Sequence, residues 1–379
     1  MPKILMIANA SSVWTKELIR NIHFPFGHEV TLATFDMLES DSVKLAYKSM
    51  NTRVVNLGSS YHGAIGKIYK SFSLLKLAFL SRHLFDFVIV HCPPNSFQAY
   101  IIAIAIKLID TRTLTVFWGS DIQAIDCKGA KKLSHIVGAS NSFNLGTVAM
   151  QRAFYNFFEL KKTQKIYSSP FGSLAFSSID EVTNKITKQE CKKYFGLNPE
   201  KTCIAVGHSG KASHQHLLAI EALAKLPNDI KDRLQMLLHL HQGEDSYIKQ
   251  VCKMAKAASI EFTVIPHSLG LEEVAKLRVA TDIFLHAQKN DALSGSIREC
   301  LYAEAILINP TWIEYDEYDE LGIEYIKFSK FEELPEIIKN VLVGEIKVDT
   351  VKNHKIVDKM YSWNAVKRDW LKIFDENIT

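Results

Sequence analysis

The six cysteines of this 379-residue chain, at 92, 127, 191, 203, 252 and 300, contain no Cys-x-x-Cys pair. That spacing excludes a sequence-encoded zinc ribbon or thioredoxin-type redox motif, and the expectation is a reduced, cytoplasmic protein. No stretch reaches the roughly 20 apolar residues that a membrane-spanning helix needs. The best candidate, "AYIIAIAIKLID" at 99–110, is interrupted by Lys107. The start, "MPKILMIANA", fits a buried strand better than a signal peptide. After that strand comes "ANASSVW" in place of G-x-G-x-x-G, so the dinucleotide fingerprint is missing and a nicotinamide enzyme is disfavoured. There is no D-x-D, and the acid-rich run "EYDEYDE" (314–320) reads as a solvated loop. No recognition motif accompanies the basic residues, so nucleic acid is not an expected partner.

Acid is absent from one long segment. Between Ser42 and Phe85 there is no Asp or Glu, while Lys44, Lys48, Arg53, Lys67, Lys70, Lys76 and Arg82 all fall there. Residues 1–190 hold 21 Lys and Arg against 13 Asp and Glu, and the remainder 24 against 28, so the first half is the basic one. Such a half attracts anionic partners. Within it, "AIGKIYKSFSLLKLAFLSRH" (64–83) repeats Ile65, Ile68, Phe72, Leu75 and Phe79 at helical spacing beside lysines. Two readings stay open: a core helix with snorkelling lysines, or residues 42–85 as a contact with an anionic membrane surface.

What is present is ordinary for a globular protein, 47% hydrophobic and 23% charged, and the length suits two domains. Short apolar runs alternate with helical patterns: "KILMIAN", "HEVTLATF", "TRVVNLG", "FDFVIVH" and "RTLTVFWG" read as strands, with helices at 64–83 and 96–109. The pattern restarts with "KTCIAVGHSG", "LQMLLHLHQG", "IEFTVIPHS", "TDIFLHAQ" and "AILINP", and helices at about 214–226, 245–258, 271–280 and 296–304. The Ser- and Pro-Gly-punctuated stretch 167–190 reads as a linker. These patterns predict two α/β domains, 1–172 and 173–359, each with a parallel sheet. A last helix (360–379) carries Trp363, Val366, Trp370 and Ile373 on one face and is expected to pack back on the first domain.

Open parallel sheets bind ligands at the carboxyl ends of their strands, and two such domains facing across a cleft offer two binding lips. Ser11 and Ser12 follow the first strand, as an oxygen-binding helix start or a plain N-cap. His208, Ser209, Gly210, Lys211 and His214 follow the first strand of the second half, and with the helix start make a diphosphate seat. His267 ends a later strand. The histidine pairs 214/216 and 239/241 lack the Cys or acid partners of a zinc site. In "NDALSGSIREC" (290–300), Asp291 precedes a small loop, Leu293-Ser294-Gly295-Ser296, and Glu299 sits about one turn into the next helix. Carboxylates accept hydrogen bonds from sugar hydroxyls, while loop amides hold phosphates. The competing local reading is a capping box between Ser296 and Glu299.

On "DALSGSIRE", "FDFVIVHCPPN", "VFWGSDI" and "VGHSGKASHQHLLAIEAL", the chain resembles GT-B glycosyltransferases, most closely glycosyltransferase family 4. The resemblance spans most of the chain. The family's first acid is usually Glu, and Asp291 is one methylene shorter; its usual Arg in the glycine loop is His208 here, and its Lys corresponds to Lys211 or His214. The resemblance implies two Rossmann-like domains, a metal-independent enzyme and transfer from a nucleotide-diphosphate sugar, with UDP favoured, to a glycan or lipid-linked acceptor in bacterial-type surface polysaccharide synthesis. It implies a role for His91 beside the donor, for Gly119 and Asp121 on the acceptor side, for Glu299 on the ribose, for Asp291 on the donor sugar, and for Lys211 with the Ser294–Ser296 amides on the diphosphate. It further implies a cytoplasmic enzyme, peripheral on the membrane's inner face, that retains anomeric configuration. "WGSD", "GHSGKASHQH" and "HLHQGEDSYIKQV" are also similar to the inverting fucosamine transferase of enterobacterial common antigen, which implies as an alternative an inverting transferase of a TDP- or GDP-sugar. A sugar-nucleotide epimerase and a catalytically silent sugar-nucleotide-binding subunit remain alternatives.

Overall fold

The structure, a computed structural model, describes all residues except 37–40, 59–62, 124, 292 and 379, and does not describe the side chains of 41–43, 64 and 120. Part of the 42–85 segment and Ala292 of the acidic loop thus lie outside the described residues. The chain divides into one unit of Met1–Gly172 with Trp363–Thr379, and a second of Ser173–Ser362.

In the first unit, β1 (Lys3–Ile7), β2 (Glu29–Thr34), β3 (Thr52–Asn56), β4 (Phe87–His91), β5 (Thr113–Val116), β6 (Ser142–Asn144) and β7 (Lys165–Tyr167) form a sheet in the order β3-β2-β1-β4-β5-β6-β7. In the second, β8 (Thr202–Val206), β9 (Leu234–His239), β10 (Glu261–Ile265), β11 (Ile283–Leu285), β12 (Ile306–Pro310) and β13 (Ile326–Phe328) run β10-β9-β8-β11-β12-β13. Every pairing is parallel. Continuous apolar strands such as "FVIVH", buried along their whole length, need cover on both faces, and only crossover helices supply it. Both sheets reverse direction beside their first strand, β1 or β8, which is where such sheets open a crevice.

The last helix, Trp363–Ile378, packs on the first unit: Val366, Trp370, Ile373 and Phe374 join Ile4, Met6, Leu32 and Phe87 in its core. Trp370 is fully buried and its Nε1 donates to Pro170 O at 2.9 Å. This helix starts at Trp363; residues Thr350–Tyr361 form a separate helix in the second unit, and the chain turns at Ser362. The expected linker is a correction. Its middle is the helix Phe176–Thr183, whose Phe176, Ile179 and Val182 enter the second core, so only the bends around 168–175 and 184–187 are irregular.

The helix Gly63–Leu80 turns Leu74 and Ala78 inward. Its other face departs from the core-helix reading: Ile65, Ile68, Phe72 and Phe79 are each about two-thirds exposed, with Tyr69 and Leu80 beside them. Lys67, Lys76 and Arg82 flank this surface and are exposed too. Monomeric proteins seldom leave a contiguous apolar strip of this kind uncovered without a use for it.

Candidate functional site

Two groups of polar side chains stand at the carboxyl edges, one in each unit. In the first unit, His91 ends β4, and Trp118 and Gly119 follow β5. Trp118 Nε1 donates to His91 Nδ1 at 3.2 Å. An indole N–H is only a donor, so Nδ1 is the acceptor and the imidazole proton sits on Nε2. His91 Nε2 is buried with no partner among the described residues, and burial pushes the ring's pKa down to about 3. His91 is therefore a neutral hydrogen-bond donor, held edge-on between Trp118 and Phe171. With Asn9, Asp36, Cys92, Gln98 and Trp118 it lines a cavity of about 270 Å³.

Asp121 accepts from the backbone N–H of Trp118 (3.0 Å) and of Gly119 (2.9 Å). That turn needs Gly119, whose φ of 120° lies where a side chain would strain the backbone. Burial pushes the Asp121 carboxyl up to about 6, against the downward pull of those amides. Ser12 occupies the N-cap of the helix Val13–Leu18 but makes no capping bond through its side chain, and Ser11 is exposed, with its N–H on Asn9 Oδ1.

In the second unit the loop after β8 is fixed by backbone contact. Gly210 N–H donates to His241 O at 2.7 Å, and a Cβ on Gly210 would stand 2.4 Å from Leu240 O. Only glycine lets the loops after β8 and β9 approach this closely. This brings histidines from three strand ends together. His208 meets His214 edge-on at 4.3 Å, His239 stacks on His241 at 4.1 Å, and His286 follows β11. Ser209 Oγ lies 2.8 Å from His214 Nε2. His286 Nδ1 donates to Asn309 Oδ1 at 2.7 Å, because both Asn309 Nδ2 hydrogens are used on Pro310 O and Ile313 O. His239 Nε2 donates to His267 O, whereas the His267 side chain is exposed. Burial lowers the pKa of His214 to about 2 and of His216 and His239 to about 4, so these rings are neutral. The rings do not converge as ligands: among the described residues no three His, Cys, Asp or Glu side chains are placed to hold a metal ion. Lys211 is exposed and makes no ion pair with a described residue.

The acidic loop departs from its local reading. Ser294, not Ser296, is the N-cap of the helix Gly295–Tyr302, so the Ser296–Glu299 capping box does not form. Instead Arg278 Nε donates to Glu299 Oε2 at 3.0 Å and Arg278 Nη2 to Ser296 Oγ at 2.9 Å, in a nearly dry pair. Arg278, from the helix Leu271–Ala280, was not foreseen, because nothing local marks a partner 21 residues before Glu299. Asp291 Oδ2 accepts from Ser294 N–H (2.8 Å) and from Tyr315 Oη–H (2.7 Å). The Ser294 amide is thereby used, which narrows the amides for an anion to Gly295 and Ser296 in the helix's first turn. Leu293 buries its side chain in the core at a φ of 64°, so only its strained backbone faces the loop. The run 314–320 is no solvated loop: Asp316–Leu321 is a helix, and Tyr315 and Tyr318 are buried.

No protein-family model and no curated protein matches the sequence. Solved structures do. Anabaena HepE, determined with UDP and glucose, matches with TM-score 0.73 at 14% identity over 99% of this chain and 100% of its own. A glycosyltransferase from Rickettsia africae matches with TM-score 0.74 at 14% identity over 100% and 99%. WaaG, a glycosyltransferase involved in lipopolysaccharide biosynthesis, matches with TM-score 0.64 at 13% identity over 96% and 98%. The two-domain, all-parallel architecture is the GT-B fold.

Proposed function

We propose that this GT-B chain is a glycosyltransferase that moves a sugar from a nucleotide-diphosphate donor, UDP-linked, to a glycan or lipid-linked acceptor with retention of configuration. One observation carries the reading. Asp291 and Glu299 flank the start of the helix Gly295–Tyr302 at the carboxyl edge of the second sheet, in a chain that matches GT-B structures over its whole length, one of them solved with UDP and glucose.

In this reading the second unit binds the donor. Glu299, oriented by Arg278, holds the ribose hydroxyls, and Asp291, which fixes the loop through Ser294 and Tyr315, meets the sugar. The amides of Gly295 and Ser296, with Lys211, stabilise charge developing on the leaving diphosphate, usually the largest single catalytic contribution. We assign no metal to that task. The first unit presents its cavity to the acceptor, and His91 donates from Nε2. In a retaining transfer the leaving phosphate oxygen takes the acceptor proton on the same face.

A second reading, the inverting one, is favoured by Asp121. Its carboxyl, raised to about 6, is ionised at neutral pH yet basic enough to accept the acceptor's proton, whereas the buried neutral His91 is not. Proton NMR of the product formed from a UDP-sugar decides between them: a retained anomeric linkage is expected, and an inverted one moves the role of base to Asp121. Conversion of the donor into an isomer with no acceptor present would indicate an epimerase.

The apolar face of the helix Gly63–Leu80 and its flanking cations are assigned to an anionic lipid surface at the inner face of the membrane. Sedimentation with vesicles is expected to recover more protein on anionic than on neutral lipid, and the variant Phe72→Ser/Phe79→Ser is expected to lose most of that difference. Equal recovery on both lipids rules the assignment out.

A further inference from the structure

The histidines of the second unit go beyond what a diphosphate seat needs, and their arrangement suggests a use. One ring nitrogen on each of His208, His214, His216, His239, His241 and His286 is buried with no hydrogen-bond partner among the described residues. Native proteins rarely leave so many buried polar atoms unpaired in one place. His208 is central. Burial does most to keep it neutral, and His214 on its own loop, His286 after β11, Arg278 on the helix Leu271–Ala280 and His241 after β9 each add to the cost of protonating it. For His214 the same follows from burial and then His216, His286, Lys211 and His241, and for His241 from burial and then Arg278 and Lys211. No carboxylate ranks among them; Asp291 acts on His286.

The fixed charges leave a deficit. A diphosphate esterified at both ends brings two negative charges. Lys211 and Arg278 bring two positive ones, but Arg278 is already matched by Glu299 at 3.0 Å. One negative charge would remain beside buried neutral ring nitrogens, met only by the dipoles of the Gly295 and Ser296 amides. We propose that binding of a nucleotide-diphosphate sugar to the second unit takes up about one proton onto the histidine cluster, shared between His208 and His214. The inference rests on the reading of this unit as the donor-binding one.

The sign follows from the free state. Burial keeps His208 well below its ordinary value and His214 near 2, so both rings are neutral in the ligand-free protein near pH 7. A nearby dianion favours the charged ring and raises that value. Affinity is then highest at low pH and weakens as pH rises, by up to about tenfold per pH unit for one linked proton. The arrangement puts a titratable donor where a permanent cation would otherwise stand, so donor grip is tuned by pH.

Calorimetry on the intact chain with UDP-glucose, GDP-mannose and TDP-glucose tests this, in two buffers of different ionisation enthalpy between about pH 6.5 and 8. These donors carry no phosphate that titrates in that range, so any proton taken up belongs to the protein. Uptake of roughly half to one proton per bound donor is expected, with affinity falling severalfold per pH unit. His208→Asn/His214→Asn should bind more weakly and lose the uptake. Donor binding with no proton uptake and a flat pH profile overturns the proposal and leaves the donor site standing. Failure of every donor to bind across the range overturns the donor site and the proposal with it. Should the double variant not fold, the wild-type pH profile and buffer pair decide alone.

Discussion

Arg278→Leu is expected to destabilise the second unit by about 3–5 kcal/mol, the usual cost of removing one partner from a buried ion pair. Arg278 and Glu299 are both about nine-tenths buried, and Arg278 also holds Ser296 at the start of the helix Gly295–Tyr302. With the guanidinium gone, the Glu299 carboxylate is left dry and unmatched. The double variant Arg278→Leu/Glu299→Leu should recover most of that stability, because apolar replacement of a whole buried pair is often neutral or better. It should not recover donor binding, since Glu299 is the proposed ribose ligand. Urea unfolding of the single and double variants separates the two effects. A single variant as stable as the wild type would mean that water reaches Glu299 and that the pair is not dry.

Acidification from about pH 7.5 to 5.5 is expected to cost the second unit at least about 4 kcal/mol. His214, His216 and His239 titrate at about 2, 4 and 4 in the folded chain against 6.5 in the unfolded one. Because the folded values are depressed, the unfolded chain binds more protons below 6.5. The stability these rings allow is complete above that pH and is lost progressively as pH falls toward the folded values, at about 1.3 kcal/mol per ring by pH 5.5. Urea midpoints at the two pH values measure it, and equal or higher stability at the acid end contradicts it. A bound nucleotide sugar should reduce the loss, since its diphosphate favours the protonated rings.

Much of the fold was legible because buried parallel strands leave long apolar runs. "KILMI", "FVIVH" and "LQMLLH" announce themselves, and so do the amphipathic helices between them. β6, β7 and β13, three residues each, are too short to carry a period and passed unseen. The helix Phe176–Thr183 hid in a stretch rich in Ser and Thr, where its three buried residues were outnumbered by turn formers. At the site, the α/β pattern alone put His91 at a strand end and Asp121, His208, Lys211 and Asp291 in the segments that leave strand ends. What escaped was whatever depends on a partner distant in sequence. Arg278 on Glu299, Tyr315 on Asp291 and Trp118 on His91 are contacts across elements, with no local signature. The histidines were visible as pairs at two-residue spacing, but only the close approach of Gly210 to Leu240 makes one cluster of them.

The position of the last helix bears on how the molecule is made. The first unit's core joins Ile4 and Met6 to Trp370 and Phe374, so part of it is contributed by residues synthesised only after the whole of the second unit. Domains generally fold as units while the ribosome delivers them, the earlier one first. Here that order is reversed for completion: the second unit has every one of its residues in hand while the first still lacks Val366, Trp370, Ile373 and Phe374. A nascent chain halted before Trp363 would carry a finished second unit and an open apolar trough beside β1, the form in which this protein is most exposed to chaperones and to aggregation.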